Sequence, residues 1–163
     1  MTEEFQQRID GRSWSVQYFE RARLEWHPEL AQGAAVQLGI LGPAMLNGRT
    51  IARLPVLAST AKRLYFPETG HTLAYGFLDY WKAKGGLGVF GFPISEELNE
   101  DGMTVQYFER ARFEYHSKLA GTPYAVRLTP LGYLALKAGH FNIPMGTLVS
   151  FEPPRLAEGH TTT

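Results

Sequence analysis

Polar and apolar positions along the chain follow two different spacings. In Arg112–His116 (RFEYH), polar Arg112, Glu114 and His116 alternate with Phe113 and Tyr115. That two-residue period predicts a half-buried strand. Just upstream, Val105–Phe108 (VQYF) is rich in β-formers. The Glu-Arg-Ala between these runs reads as a tight hairpin connection or a bulge. Beyond the loop SKLAGTP, YAVRL reads as a third strand. The other spacing is helical. Leu73, Phe77 and Trp81 fall four apart, which predicts a helix that Thr72 can cap and Gly85-Gly86 ends. Thr129-Pro130 reads as an N-cap with proline at the first helical position, opening a short helix through Lys137 that stops at Gly139. Residues 47–67 carry two prolines and one helical turn near Ser59–Leu64. The tail after Pro153-Pro154 reads as frayed.

The strand pattern occurs twice. VQYFERAR stands at Val16–Arg23 and again at Val105–Arg112, and the match continues without a gap to Ala31 and Ala120. A one-residue gap then aligns AVQLGILGPAML (35–46) with AVRLTPLGYLAL (125–136). Upstream, Glu3-Glu4-Phe5 before Asp10-Gly11 resembles Glu96-Glu97-Leu98 before Asp101-Gly102. The second copy carries a lead-in, GGLGVFGFPISEEL, of which the first keeps only the last part. The expected division is a first repeat at 1–46 with an incomplete lead-in, a connector or insert at 47–72, a second repeat at 73–139, and a C-terminal segment and tail at 140–163. The expected fold class is α+β. Each module is a small antiparallel sheet of about three strands with a packed helix, and the two pack as a pseudo-symmetric pair.

Composition narrows the function classes. The chain has equal numbers of basic and acidic residues and a net charge of zero, so no global field invites nucleic acid or an anionic membrane. It has no cysteine, which removes thiol catalysis, disulfides and cysteine-ligated zinc. No window of 18 apolar residues predicts membrane insertion. The polar start, MTEEFQQRIDGR, is not a signal peptide. The chain is therefore cytoplasmic or a piece of a longer exported protein, and its opening in mid-repeat reads as an excised or truncated array.

FLDYWKAKGGLGVFGFPISEE resembles the first part of the LGFP-type repeat. There an amphipathic helix ending in Trp and Gly-Gly leads into a Leu-Gly-Phe-Pro-like turn, here Phe90-Gly91-Phe92-Pro93, and an acidic stretch follows. GMTVQYFERARFEYH fits the hairpin that comes next in that family. Phe90 stands where the family has Leu, and Arg110-Ala111 where its hairpin tends to carry glycine. The match covers residues 73–136 and, for the incomplete copy, 1–46. The wording is also similar to repeat modules in exported cell-surface proteins of Chloroflexi-like bacteria. The resemblance implies an extracellular or cell-surface, non-catalytic role: attachment to a cell-wall glycan or surface polysaccharide.

The candidate binding surface joins aromatics to the repeated charges. Sugars stack their C–H faces on aromatic rings while Arg and Glu bridge their hydroxyls. That reading makes Trp26 and Tyr115 the platforms, supported by Tyr18 and Tyr107, with Arg21, Arg23, Arg110, Arg112, Glu25 and Glu114 beside them. The competing reading makes the same charges a brace, in which cross-strand Arg–Glu pairs stiffen the hairpin. Glu25/His27 and Glu114/His116 would bind a metal only if the two pairs met, and nothing in the sequence brings them together. His71 suits a constrained turn, where it or Thr69 bonds free helical N–H groups. No serine sits in a nucleophile elbow, and Glu96-Glu97 are adjacent, a poor geometry for a glycosidase pair. GGLGVFG has the spacing of a phosphate loop but follows a helix rather than a strand. No catalytic residue, metal or cofactor is expected. The rivals to binding are a spacer or self-associating module without a ligand, and a hydrolase.

Overall fold

Two four-stranded antiparallel sheets carry the repeat. In the computed structural model of the protein, residues 1–138 are described. The first sheet is built in chain order from β1 (Phe5–Ile9), β2 (Arg12–Tyr18), β3 (Arg23–Trp26) and β4 (Val36–Leu38), and the short helix α1 (Gly42–Met45) follows. A two-stranded hairpin, β5 (Arg63–Phe66) and β6 (His71–Ala74), leads into α2 (Tyr75–Ala83) and α3 (Gly86–Phe90). The second sheet is formed by β7 (Leu98–Glu100), β8 (Met103–Tyr107), β9 (Arg112–Tyr115) and β10 (Val126–Leu128), and α4 (Leu131–Lys137) comes last. The protein is thus α+β.

Each sheet has one strand more than the pattern predicts. The additional strands, β1 and β7, pair with β2 and β8 through two-residue turns at Asp10-Gly11 and Asp101-Gly102. All four turn residues have positive φ: 48°, 80°, 51° and 78°. Consecutive left-handed residues match the right-handed twist of the flanking strands, which is why Asp-Gly closes such hairpins. The two FERA connections are alike. Phe19 N–H donates to Ala22 O and Phe108 N–H to Ala111 O, both at 2.8 Å.

Directly paired residues share a sheet face. Val16 lies opposite Glu25 and Tyr18 opposite Arg23; Val105 and Tyr107 face Glu114 and Arg112 in the same way. These faces are the inner ones, and each is covered by the other copy's helix. Leu131 and Ala135 of α4 pack with Val16, Tyr18 and Leu41. Leu46, just after α1, packs with Val105 and Tyr107. The helices therefore cross between copies. Glycine permits the close approach at both crossings. A β-carbon on Gly42 would overlap the Phe108 carbonyl, and one on Gly132 would overlap the Phe19 carbonyl. Gly42 N–H donates to Glu109 O at 2.9 Å, and Tyr133 N–H donates to Glu20 O at 2.9 Å.

The outer face of the second sheet is covered by its lead-in. Phe77 and Leu78 of α2 and Phe90 of α3 bury against Phe108, Phe113 and Val126. Phe113 meets Phe77, Tyr80 and Phe90 edge-on, with ring centroids 5.8, 5.1 and 4.9 Å apart, the geometry aromatic quadrupoles favour. Gly85 (φ 114°) and Gly86 (φ 57°) turn the chain between α2 and α3.

Several local expectations change. Thr72 is in β6 and does not cap α2; its hydroxyl donates to Glu96 at 2.5 Å instead. Likewise Thr129 bonds Arg112 and Glu114, and α4 begins at Leu131 with Pro130 as its N-cap residue. Both hydroxyls donate to a carboxylate, and these charge-assisted bonds turn the side chains away from the helix start. Ser59–Leu64 is a turn joined by a Thr60–Arg63 bridge rather than a helical turn. The glycine-rich GLGVF is a helix, stabilised by aromatic packing despite its low propensity. Gly139 and the segment 140–163 lie outside the described residues.

Candidate functional site

The repeated charges form two inner-face networks. In the first copy Arg23 Nε and Nη2 donate to one oxygen of Glu25 at 2.9 and 2.5 Å, and Nη1 donates to the Tyr18 hydroxyl at 3.2 Å. Tyr18 donates in turn to Gln7 at 3.1 Å. The other oxygen of Glu25 lies 3.1 Å from His27 Nε2. Arg23, Glu25 and Tyr18 are all buried. In the second copy Arg112 Nη1 donates to Glu114 and Thr129 at 2.7 and 2.8 Å, and Nη2 to Glu100 at 2.7 Å. The Tyr107 hydroxyl donates to the same carboxylate at 3.0 Å. Arg49 reaches Glu100 at 2.7 Å. Burial pushes the Glu100 carboxyl up, but the hydrogen bonds from Arg112, Arg49 and Tyr107 outweigh it and hold it below the usual carboxylate range. Burial, reinforced by the Glu100 bond, raises the Tyr107 phenol.

The hairpin-tip arginines do a different job. Arg110 Nε donates to Leu38 O at 3.0 Å, at the end of β4, and Arg21 donates to Leu128 O at the end of β10. Leu38 and Leu128 occupy the same place in the two copies, so each tip reaches across to its counterpart's last strand. These contacts tie the copies together, whereas the Arg23–Glu25 and Arg112–Glu114 pairs run along one strand rather than across the hairpin as the brace reading expects.

The aromatic platforms do not share a groove with these charges. Glu25 and Trp26 are neighbours on one strand, as are Glu114 and Tyr115, so Trp26 and Tyr115 lie on the outer faces. Tyr18 and Tyr107 are buried on the inner faces. The expected surface therefore divides among the inner faces, the hairpin tips and the outer faces. The Glu–His pairs likewise sit in separate sheets. Among the described residues no group of three or more His, Asp or Glu side chains is placed to hold a metal ion.

A large groove opens beside α2, with a volume of about 720 Å³. Tyr75, Tyr80 and Tyr115 line it, with Asp79, Glu97 and Thr122 among its polar groups. Tyr115 is the one sequence-derived candidate found there. Tyr75 and Asp79, and Tyr80 and Lys84, are spaced i, i+4 along α2; that periodicity was the available signal, masked by the stronger apolar stripe through Phe77. Burial raises the Glu97 carboxyl, and the neighbouring Glu96 charge adds to the effect. Burial also raises the Tyr80 phenol, so Tyr80 keeps its hydroxyl proton across the neutral range. Tyr75, largely exposed, holds φ at +46°, a left-handed conformation costly for an aromatic residue.

His71 and Glu96 stand behind this groove as fold elements. Glu96 accepts Thr72 N–H at 2.8 Å and lies 3.3 Å from His71 Nδ1. They join the β5–β6 hairpin to the chain entering the second sheet.

A smaller groove of about 310 Å³ lies on the outer face of the first sheet, lined by Leu24, Trp26 and Val36 beside Glu4 and Gln17. No helix among the described residues is long and apolar enough to cross a membrane. Comparison with protein-family models, curated proteins and solved structures returned no match, so the groove beside α2 is read from its own geometry.

Proposed function

We propose that the chain is a non-catalytic repeat module that binds a cell-wall glycan or surface polysaccharide, extracellularly or at the cell surface, as part of an exported bacterial protein. The observation that carries this reading is the groove beside α2, where Tyr75, Tyr80 and Tyr115 converge with Asp79, Glu97 and Thr122. Tyrosine rings offer flat apolar platforms for the C–H faces of a sugar, and the carboxylates and hydroxyl offer partners for its hydroxyls. The left-handed Tyr75 supports the same reading, because backbone strain concentrates where a side chain must be presented rather than packed. The resemblance of residues 73–136 to LGFP-type repeats supplies the polymer class.

The test is binding of the intact protein to purified peptidoglycan and to a panel of bacterial polysaccharides, followed by calorimetry. Tyr75→Gly should weaken binding at least tenfold while leaving the thermal midpoint unchanged or higher, because glycine relieves the left-handed strain. Tyr115→Ala should weaken binding similarly. Full retention of affinity in both variants, or no binding to any fraction, overturns the proposal. A spacer without a ligand is the second reading. It is supported by the tip contacts, in which Arg110 and Arg21 hold the two copies together, and by the inner-face networks, which commit the other repeated charges to partners within their own copy. Release of new reducing ends during incubation would instead mark a hydrolase using Asp79 and Glu97.

A further inference from the structure

We infer that the outer face of the first sheet is a preformed receptor for a lead-in segment, a β-hairpin, aromatic helix and Phe-Gly-Phe-Pro turn with the pattern of residues 63–93. The second copy shows what this face accepts. There Phe108 is 0% exposed and Val126 8%, both beneath α2 and α3. Their counterparts in the first copy, Phe19 and Val36, are 43% and 54% exposed. Trp26, opposite Tyr115 in the alignment, is 49% exposed. With Leu24 they form an apolar strip where the second copy has its most heavily packed surface.

The polar fittings are duplicated as well. Gln17 and Gln106 use their carboxamide nitrogens alike, donating to Thr2 O at 3.0 Å and Ser95 O at 2.8 Å. Gln106 also donates to Thr72 O at 2.7 Å, which clamps the β5–β6 hairpin to the sheet. Glu109, at the second hairpin tip, accepts Phe92 N–H at 3.0 Å and pairs with Phe92 through its backbone. The equivalent Glu20 stands half-exposed, 3.3 Å from its neighbour Arg21. Backbone pairing at the tip is what a docked lead-in would add there. The FERA tip of the first copy has the same internal hydrogen bond as the second, so its backbone is already shaped for that contact. The face is also continuous with an interface in use, since the Phe19 carbonyl and Glu20 carbonyl hold Gly132 and Tyr133 at the start of α4. The occupant is therefore defined by a template within the same molecule rather than by hydrophobicity alone.

A synthetic peptide spanning residues 63–93 is the probe, ending where Thr2 already fills the place of Ser95. Titrated into the intact protein, it should bind at one site with saturable affinity. Trp26→Ser and Val36→Ser should each weaken binding about tenfold, and a peptide with Phe77→Asp and Phe90→Asp should not bind. Both substituted positions are exposed, so the protein variants should keep the parent circular dichroism and thermal midpoint. Absence of binding, or binding that survives Trp26→Ser and Val36→Ser together, overturns the inference. So does concentration-dependent dimerisation of the protein alone that these substitutions abolish, which would make the occupant a second copy. Binding of polysaccharide at this face, with no peptide bound, would also overturn it. Because Tyr75→Gly acts only on the groove beside α2, the two proposals fail separately.

Discussion

The inner faces of the two copies share their arginine, tyrosine and glutamate yet close around them differently. Position 39 is glycine in the first copy, and a β-carbon there would meet both Arg23 and Glu25. Arg23 therefore folds fully onto Glu25. Its counterpart Thr129 places a hydroxyl between Arg112 and Glu114 instead, bonding them at 2.8 and 2.6 Å. Beyond the tyrosine the copies diverge again, with neutral Gln7 facing Tyr18 and charged Glu100 facing Tyr107. The extra carboxylate recruits Arg49. The first network is the more deeply buried and stays within its own sheet, whereas the second reaches the connector after α1. A duplicated octapeptide thus sets which groups face inward, and two residues outside it, at positions 39/129 and 7/100, decide which partners they share.

The largest effect should come from opening the more deeply buried network. Arg23→Ala leaves Glu25 buried without its guanidinium, with His27 as its remaining side-chain contact, and should cost about 3–5 kcal/mol, read from denaturant unfolding. Arg112→Ala should cost clearly less, because Glu100 keeps Arg49 and Glu114 keeps Thr129. Equal losses would mean that the two networks are energetically alike despite their geometry. A smaller effect should follow from the crossings. Gly42→Ala and Gly132→Ala each press a methyl group onto a carbonyl and should cost about 2–3 kcal/mol by overpacking. Because each helix covers the other copy's sheet, either substitution should shift one shared unfolding transition. Two separate transitions in calorimetry would show that the copies are independent.

The smallest effect separates the networks by pH. Glu100 is depressed in the folded state, so its contribution is present above the ordinary carboxylate value of about 4.3 and is lost as pH falls through its folded value. Glu100→Gln should flatten the fall of the thermal midpoint between about pH 5 and pH 3 and lower the midpoint at pH 7. Gln7→Glu, the reciprocal change, should steepen the acid fall if Arg23 can serve a second carboxylate. An unaltered pH profile in Glu100→Gln would show that Arg49 and Arg112 find equivalent partners without it.

The repeat and the strand pattern were legible because they are local. RFEYH alternates cleanly, and the identical octapeptides declare a shared hairpin. The strands β1 and β7 were legible too, since Asp10-Gly11 and Asp101-Gly102 are strong hairpin signals, but they served only to extend the alignment. Helix starts were misplaced because Thr72 and Thr129 are good caps in isolation. Their hydroxyls go to Glu96 and Glu114, one on a loop and one on a strand, which local reading does not bring near. The crossing of α1 and α4 was not legible at all, since nothing in LGILGPAML or LTPLGYLAL says which sheet the helix will cover. The candidate site was half legible. Tyr115 was found from its strand, while Tyr75 lay on the exposed flank of a helix recognised by its apolar stripe and Tyr80 stood beside that stripe, against Phe113 and Phe90.

The crossed helices have a consequence for how such a pair can change. Each FERA tip seats the other copy's helix glycine, Gly132 against Phe19 and Gly42 against Phe108, so both copies act as mould and casting at once. Swapping the two tips would leave every seat filled. A change confined to one tip spoils one seat only, and copying it onto the other tip spoils the second. Repair of the fit therefore requires altering the facing helix, not the matching tip.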